Sequence, residues 1–193
     1  MAKTANVLPN HFIVFIIQLL IFSSANFIII IPTATSAKTE KLTHLHFYYH
    51  NNIAGPRATA VPINPKIQPV DLRDPASLFG RLTIADDPLT SGPSLENSTV
   101  VGSAQGMYGS ASQTEMSFAM VFNFALTQGK YKGSSFCLLG RNPIFTNPRE
   151  LAIVGGTGAF RFSRGYAMLK TYYMDMQTGA NTIVEYDVYI RHY

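Results

Sequence analysis

A single cysteine, Cys137, among 193 residues excludes an internal disulfide, so packing alone must hold the fold together. Charge is scarce too: Lys, Arg, Asp and Glu make up 13% of the chain, with 15 basic and 11 acidic residues and a net charge of +4. The basic residues are scattered rather than gathered in a stripe, which excludes an electrostatic nucleic-acid surface. After residue 38 there is no amphipathic helical period and no second long apolar run. Nor is there a Gly-x-Ser-x-Gly elbow in a usable setting. Gly155-Gly156-Thr157-Gly158 has the glycine content of a phosphate cradle, but a strand is expected directly after it, so no helix N-terminus would face an anion. Cys137 falls in mid-strand, where a buried, inert thiol is expected.

The longest apolar run lies at the front, from Phe12 to Ile31, behind a stretch whose only side-chain charge is Lys3. It leaves through Pro32 and the small residues Thr33 to Ala37, with Thr35 and Ala37 where a signal peptidase reads. Residues 1–37 are therefore expected to be a secretory signal. The rival is an uncleaved anchor, because the run has roughly the ~20 residues that span a bilayer; Ser23, Ser24 and Asn26 interrupt it. Residues 38–193 form one expected domain, about 155 residues and long enough to bury an ordinary core. Without Lys3 the 15 basic residues become 14 against 11 acidic, a net charge of +3.

That domain reads as strands throughout. From Thr43, Leu45, Phe47 and Tyr49 alternate with His44, His46, Tyr48 and His50, the period of a half-buried strand. The three histidines share a face, as metal ligands could, but no acidic or cysteine ligand stands at a suggestive spacing, so they read as structural and no metal is expected. Residues 51–74 form a proline-rich connection in which only Thr59 to Ile63 suits a strand. Phe79 to Ala85 reads as a strand closed by a turn at Asp86-Asp87-Pro88. Asn97-Ser98-Thr99 is a glycosylation sequon, which places Asn97 in solvent. Strands are expected over 98–111, 117–126 and 131–139, with a hairpin at 127–130 and a break at 140–148, where Asn142 and Asn147 each precede a proline. Residues 150–169 read as two strands meeting at a glycine corner, and Met174 to Ala180 turns the chain back into a final strand over 182–192. Steadily spaced strands with glycine turns indicate an all-β sandwich or barrel with an aromatic-lined interior.

The motifs Phe47-Tyr48-Tyr49-His50, Asp86-Asp87-Pro88-Leu89-Thr90, Gly102-x-Ala104-Gln105-Gly106-x-Tyr108, Phe122-Asn123 and Arg149-Glu150-Leu151-x-x-Val154-Gly155-Gly156-Thr157-Gly158 resemble the plant dirigent protein family, in order and spacing, over residues 43–193. The resemblance implies an eight-stranded antiparallel β-barrel related to the allene oxide cyclase barrel. It also implies secretion to the apoplast, no cofactor, and assembly as a homodimer or homotrimer. Dirigent proteins do not oxidise their substrates. A laccase or peroxidase supplies phenoxy radicals, for instance from coniferyl alcohol, and the barrel fixes the stereochemistry of their coupling in lignan or related phenylpropanoid biosynthesis. Some relatives act instead as lyases or cyclases on isoflavanols through quinone methides, forming pterocarpans.

By the same resemblance Arg149 and Tyr108 stand at pocket positions, and Asn142 and Asn51 stand where relatives carry acids: His50-Asn51-Asn52 in place of His-Asp-Ile, and Gly140-Arg141-Asn142 in place of Gly-Ala-Asp. Arg149, Asn142, Tyr108 and Asn51 are the expected substrate contacts, with no catalytic acid assigned. An asparagine donates a hydrogen bond but transfers no proton. An acid-dependent step would have to recruit Asp86, Asp87 or Glu150 from strand ends.

Overall fold

The computed structural model describes residues 39–64 and 71–193. The expected signal peptide, and Pro65 and Pro69 of the long connection, lie outside them. The strands are β1 (Lys41–Asn52), β2 (Ala60–Pro62), β3 (Leu82–Thr90), β4 (Val100–Ser110), β5 (Ser117–Leu126), β6 (Ser135–Pro143), β7 (Arg149–Thr157), β8 (Arg164–Met174) and β9 (Asn181–His192). From β3 to β9 each strand pairs antiparallel with the next, and β9 pairs with β1 from Lys41↔His192 to Asn52↔Asn181. β1 then returns to β3 through Tyr48↔Thr90 and Tyr49↔Leu89. Eight strands thus close into a barrel without a free edge, and the short β2 flanks β3 through Ala60↔Ala85.

The alternation expected from the sequence sets the inside. On β9, Val184, Tyr186, Val188 and Ile190 are buried, as are Met120, Phe122, Phe124 and Leu126 on β5. One half of the interior is filled with rings: Phe124 stacks on Phe136 at 4.9 Å, Phe47 on Tyr186 at 5.4 Å, and Phe160 closes the end beside Tyr131 at 4.9 Å. Each fully buried ring removes enough apolar surface from water to stabilise the fold by about 1.5–3 kcal/mol. Gly106 lets β4 lie tightly on β5, since a Cβ there would collide with the Val121 carbonyl and the Phe122 backbone. Gly158, at φ +60°, turns the corner between β7 and β8.

Several local expectations give way to the ladder. The Asp86-Asp87-Pro88 turn does not form; β3 runs straight through to Thr90. Pro88 falls between the residues that pair with β2 and those that pair with β1, so its missing N–H costs no ladder bond. β6 begins at Ser135 rather than Tyr131, and it continues through Asn142 and Pro143, because the extended backbone that proline imposes on Asn142 is also strand backbone. One helical turn, α1 (Pro75–Leu78), appears where none is expected; Asp74 caps it by accepting from Ala76 N–H, and Pro75 opens it. A three-residue 3-10 turn, Gly158–Phe160, stands between the glycine corner and β8. Cys137 faces outward, half-buried, with its Sγ 3.1 Å from Asn123 Oδ1, because the alternation of β6 turns its neighbours Phe136 and Leu138 into the core and Cys137 away from it.

The histidines separate as well. His44 and His46 pair with Asp187 and Glu185 of β9 at 2.8 and 2.9 Å on the outer face, so their acidic neighbours come from across the sheet. His50 is buried and meets Thr90 Oγ1 at 2.6 Å at the seam where the barrel closes.

Candidate functional site

The rings leave the other half of the barrel unfilled, and there a cavity of about 780 Å³ opens, within the range of small-molecule sites. All four residues expected from the sequence line it: Asn51, Tyr108, Asn142 and Arg149. They form two walls. In the ring β1-β9-β8-β7-β6-β5-β4-β3, β6 stands opposite β1 and β7 opposite β3, so the Asn142–Arg149 pair faces the Asn51 side across the lumen.

On the first wall Arg149 is buried, 4% exposed. Its Nε donates to Asn142 Oδ1 at 2.6 Å, and its Nη1 donates to Thr171 Oγ1 at 3.0 Å and to the Thr146 carbonyl at 3.4 Å. Every acceptor is neutral. Among the described residues no carboxylate lies within ion-pair distance of Arg149, and burial lowers the guanidinium's pKa. Among the described residues the Asn142 amide nitrogen donates to Met120 Sδ alone, a weak acceptor, so it has donor capacity left for a ligand oxygen.

On the second wall Tyr108 donates to Asn51 Oδ1 at 3.3 Å. Asn51 Nδ2 in turn donates to Asp87 Oδ2 at 2.8 Å and approaches Tyr49 OH at 3.3 Å. Thr59 Oγ1 holds the other Asp87 oxygen at 2.5 Å. Asp87 is fully buried behind this wall, and of the three acids named above it alone points inward; Asp86 and Glu150 face solvent. Asn51 thus links Tyr108 to Asp87, accepting from one and donating to the other, with no proton to transfer.

Burial pushes the Asp87 carboxyl above its ordinary range, although Thr59, Tyr49 and Asn51 all bond to it. Burial together with the nearby Asp87 pushes the Tyr108 phenol up to about 12 and Tyr49 well above its usual value. At neutral pH both phenols are therefore neutral donors rather than bases. A carboxyl raised in the folded state binds protons more readily there than when unfolded. Its contribution to stability is therefore complete below the unfolded value and lost as pH rises through the folded one. Thermal melts taken upward from about pH 4, near the ordinary aspartate value, are expected to fall more steeply for the native protein than for Asp87→Asn. Parallel profiles would remove Asp87 from this account.

The sequence offers Asp87 only as one of three acids at strand ends, because the turn signal of its own motif hides that it lies within a strand and is buried. Thr83, Thr171 and Tyr186 carry no motif that assigns them to the site. Thr171 and Tyr186 carry an alternation signal for the interior, but nothing local says which half of the barrel they reach.

Residues 42–191 match the family described as Dirigent-like protein. Dirigent protein 1 of Arabidopsis thaliana is 49% identical over 158 residues, 80% of this chain and 81% of its own. Pterocarpan synthase 1 of Glycine max is 47% identical over 163 residues, 84% of this chain and 85% of its own. The solved structure of the pterocarpan synthase dirigent protein GePTS1 superimposes with a TM-score of 0.74 at 45% identity, covering 82% of this chain and 89% of that one.

Proposed function

The chain belongs to the dirigent family, and from that premise we propose that its barrel confers stereoselectivity on the coupling of phenoxy radicals. A separate laccase or peroxidase makes the radicals, taking one electron and one proton from each phenol such as coniferyl alcohol, in lignan or related phenylpropanoid biosynthesis. The new bond then pairs the two unpaired electrons, and the protein neither supplies nor accepts one. Such coupling has almost no barrier to lower, so the protein's part is to fix which faces meet.

Arg149 carries this reading. It is a buried cation whose partners are all neutral, opposite a second polar wall, and it suits the oxygen of a phenol or of the quinone methide formed on coupling, where negative charge collects. Phenol rings would pack on the aromatic lining, Tyr108, Phe118 and Tyr186. The test is chiral chromatography of the products formed by a laccase and coniferyl alcohol. An enantiomeric excess that appears only with the barrel present supports the reading, and racemic product across a panel of phenols would sink it.

A second reading is a lyase or cyclase acting on an isoflavanol or quinone methide. The raised carboxyl of Asp87, one hydrogen bond behind Asn51, favours it, as do the relatives named pterocarpan synthases. Turnover of a closed-shell isoflavanol without any oxidase would select it.

The apolar run and small-residue exit of residues 1–37 support secretion to the apoplast, after which no membrane segment is retained. The exposed sequon at Asn97 supports glycosylation. A homo-oligomer, dimer or trimer, is supported by the outer surface. Val61, Ile84, Met107, Val121 and Leu139 stand directly opposite one another on β2 to β6, each 40–56% exposed, as an unbroken apolar row. A second copy of the chain is its proposed occupant, so Val121→Asp is expected to shift the mass in light scattering to that of one chain without altering the circular dichroism. An unchanged mass would remove this face from the interface.

A further inference from the structure

The charges lining the cavity do not balance. Three guanidinium groups line it, Arg73, Arg81 and Arg149, against one carboxylate, Asp71. Asp71 is already engaged: Arg73 donates to it from its backbone N at 2.8 Å, from Nε at 3.1 Å and from Nη2 at 3.3 Å. Among the described residues, neither Arg81 nor Arg149 has a carboxylate within ion-pair distance. Arg81 stands just ahead of β3, in the same lining as Tyr108, while Arg149 is on β7 across the ring. Asn51 and Asn142, which supply the inward amides of the two walls, add no negative charge. Asp87 stands behind Asn51, outside the lining, with its oxygens taken by Asn51 and Thr59.

A concave, low-dielectric site with two uncompensated cations focuses positive potential and draws anions. A guanidinium already stripped of water gains most from a charged oxygen, because charge-assisted hydrogen bonds are about twice as strong as neutral ones. We infer that the cavity selects phenols that carry an anionic group, of which a 4-hydroxycinnamate is the simplest class, over the corresponding neutral alcohols. Two opposed cations match the two carboxylates of a pair of such radicals, and each flat molecule has a phenolic oxygen at its other end for the facing wall. The coupling is unchanged: an oxidase removes one electron and one proton per phenol, one carbon–carbon bond forms, and both carboxylates are carried through intact.

This inference rests on the proposed function and names its substrate class. The test compares ferulate with coniferyl alcohol, which differ at the carboxylate, first by equilibrium binding of the unoxidised phenols at about pH 6 and then by enantiomeric excess with laccase. Ferulate is expected to bind about tenfold more tightly, with the ratio shrinking in added salt and in Arg81→Gln. Equal or tighter binding of coniferyl alcohol, or a ratio indifferent to both salt and Arg81→Gln, overturns the inference. The two readings fail differently. Stereoselective coupling of coniferyl alcohol beside racemic ferulate products would overturn the substrate class and leave the directing role. A retained ferulate preference with racemic products from both would support the anion site and overturn the directing role.

Discussion

Arg149→Met is expected to erase the enantiomeric excess while leaving the barrel as stable as before. Met is chosen because it fills similar volume without the charge. The functional loss follows from removing the one buried cation of the first wall. A hydrogen bond to a charged group contributes about 1.5–3 kcal/mol, so the ligand oxygen would be held about 10- to 150-fold less tightly. Stability should hardly move, because two effects oppose each other. Replacing a buried charged group by a packed apolar side chain is neutral to favourable by about 1–4 kcal/mol. Against it, Asn142 Oδ1 loses the 2.6 Å bond from Arg149 Nε, and a buried orphaned acceptor costs about 1–3 kcal/mol. Function and stability therefore separate, as they do where a strained group is kept for its chemistry. Melting curves and chiral product analysis on one preparation check this, and a variant that keeps its enantiomeric excess would contradict it.

Asp87→Ala has the opposite signature. Asp87 is fully buried and accepts from Asn51 Nδ2 at 2.8 Å and Thr59 Oγ1 at 2.5 Å, with Tyr49 bonded to it as well. Losing it leaves these buried donors without their acceptor, at about 2–4 kcal/mol in all. At about 2–4 °C per kcal/mol for a domain of this size, that lowers the melting temperature by roughly 4–16 °C. The site suffers through the same bonds, because Asn51 presents its carbonyl to Tyr108 only while its amide nitrogen is held from behind. Asp87→Asn, which keeps the shape and one acceptor oxygen, should recover most of the loss measured by calorimetry. A melting temperature within about 2 °C of the native value for Asp87→Ala would show that the cluster holds nothing.

Much of the barrel was legible in the sequence because its strands alternate cleanly. Val184, Tyr186, Val188 and Ile190 against Ile183, Glu185, Asp187 and Tyr189 give β9 directly, and the inward set is buried. Where the reading failed, local turn chemistry pointed one way and the ladder another. Asp86-Asp87-Pro88 is a turn by composition, but the proline falls in a gap between two partner strands, a fact that exists only once the barrel closes. Asn142-Pro143 reads as a break because a proline ends a helix, but the extended backbone it imposes on Asn142 is compatible with a strand, and β6 continues through it. Motif positions could nominate Arg149, Asn142, Tyr108 and Asn51, and the fold gathers all four around one cavity. Their division into opposed walls could not be read from the chain, since it depends on which strands face each other in the ring. Nor could the charge imbalance, because Arg81 and Arg73 sit in a stretch that gives no sign of reaching the cavity mouth.

The central claim is that the cavity steers coupling without taking part in oxidation. Its most direct test is a titration of the protein into a fixed amount of laccase and phenol, following oxygen uptake and enantiomeric excess together. The account predicts an excess that rises and saturates with protein while oxygen uptake stays constant, and oxygen uptake that climbs with the protein, or products that stay racemic at every concentration, would contradict it.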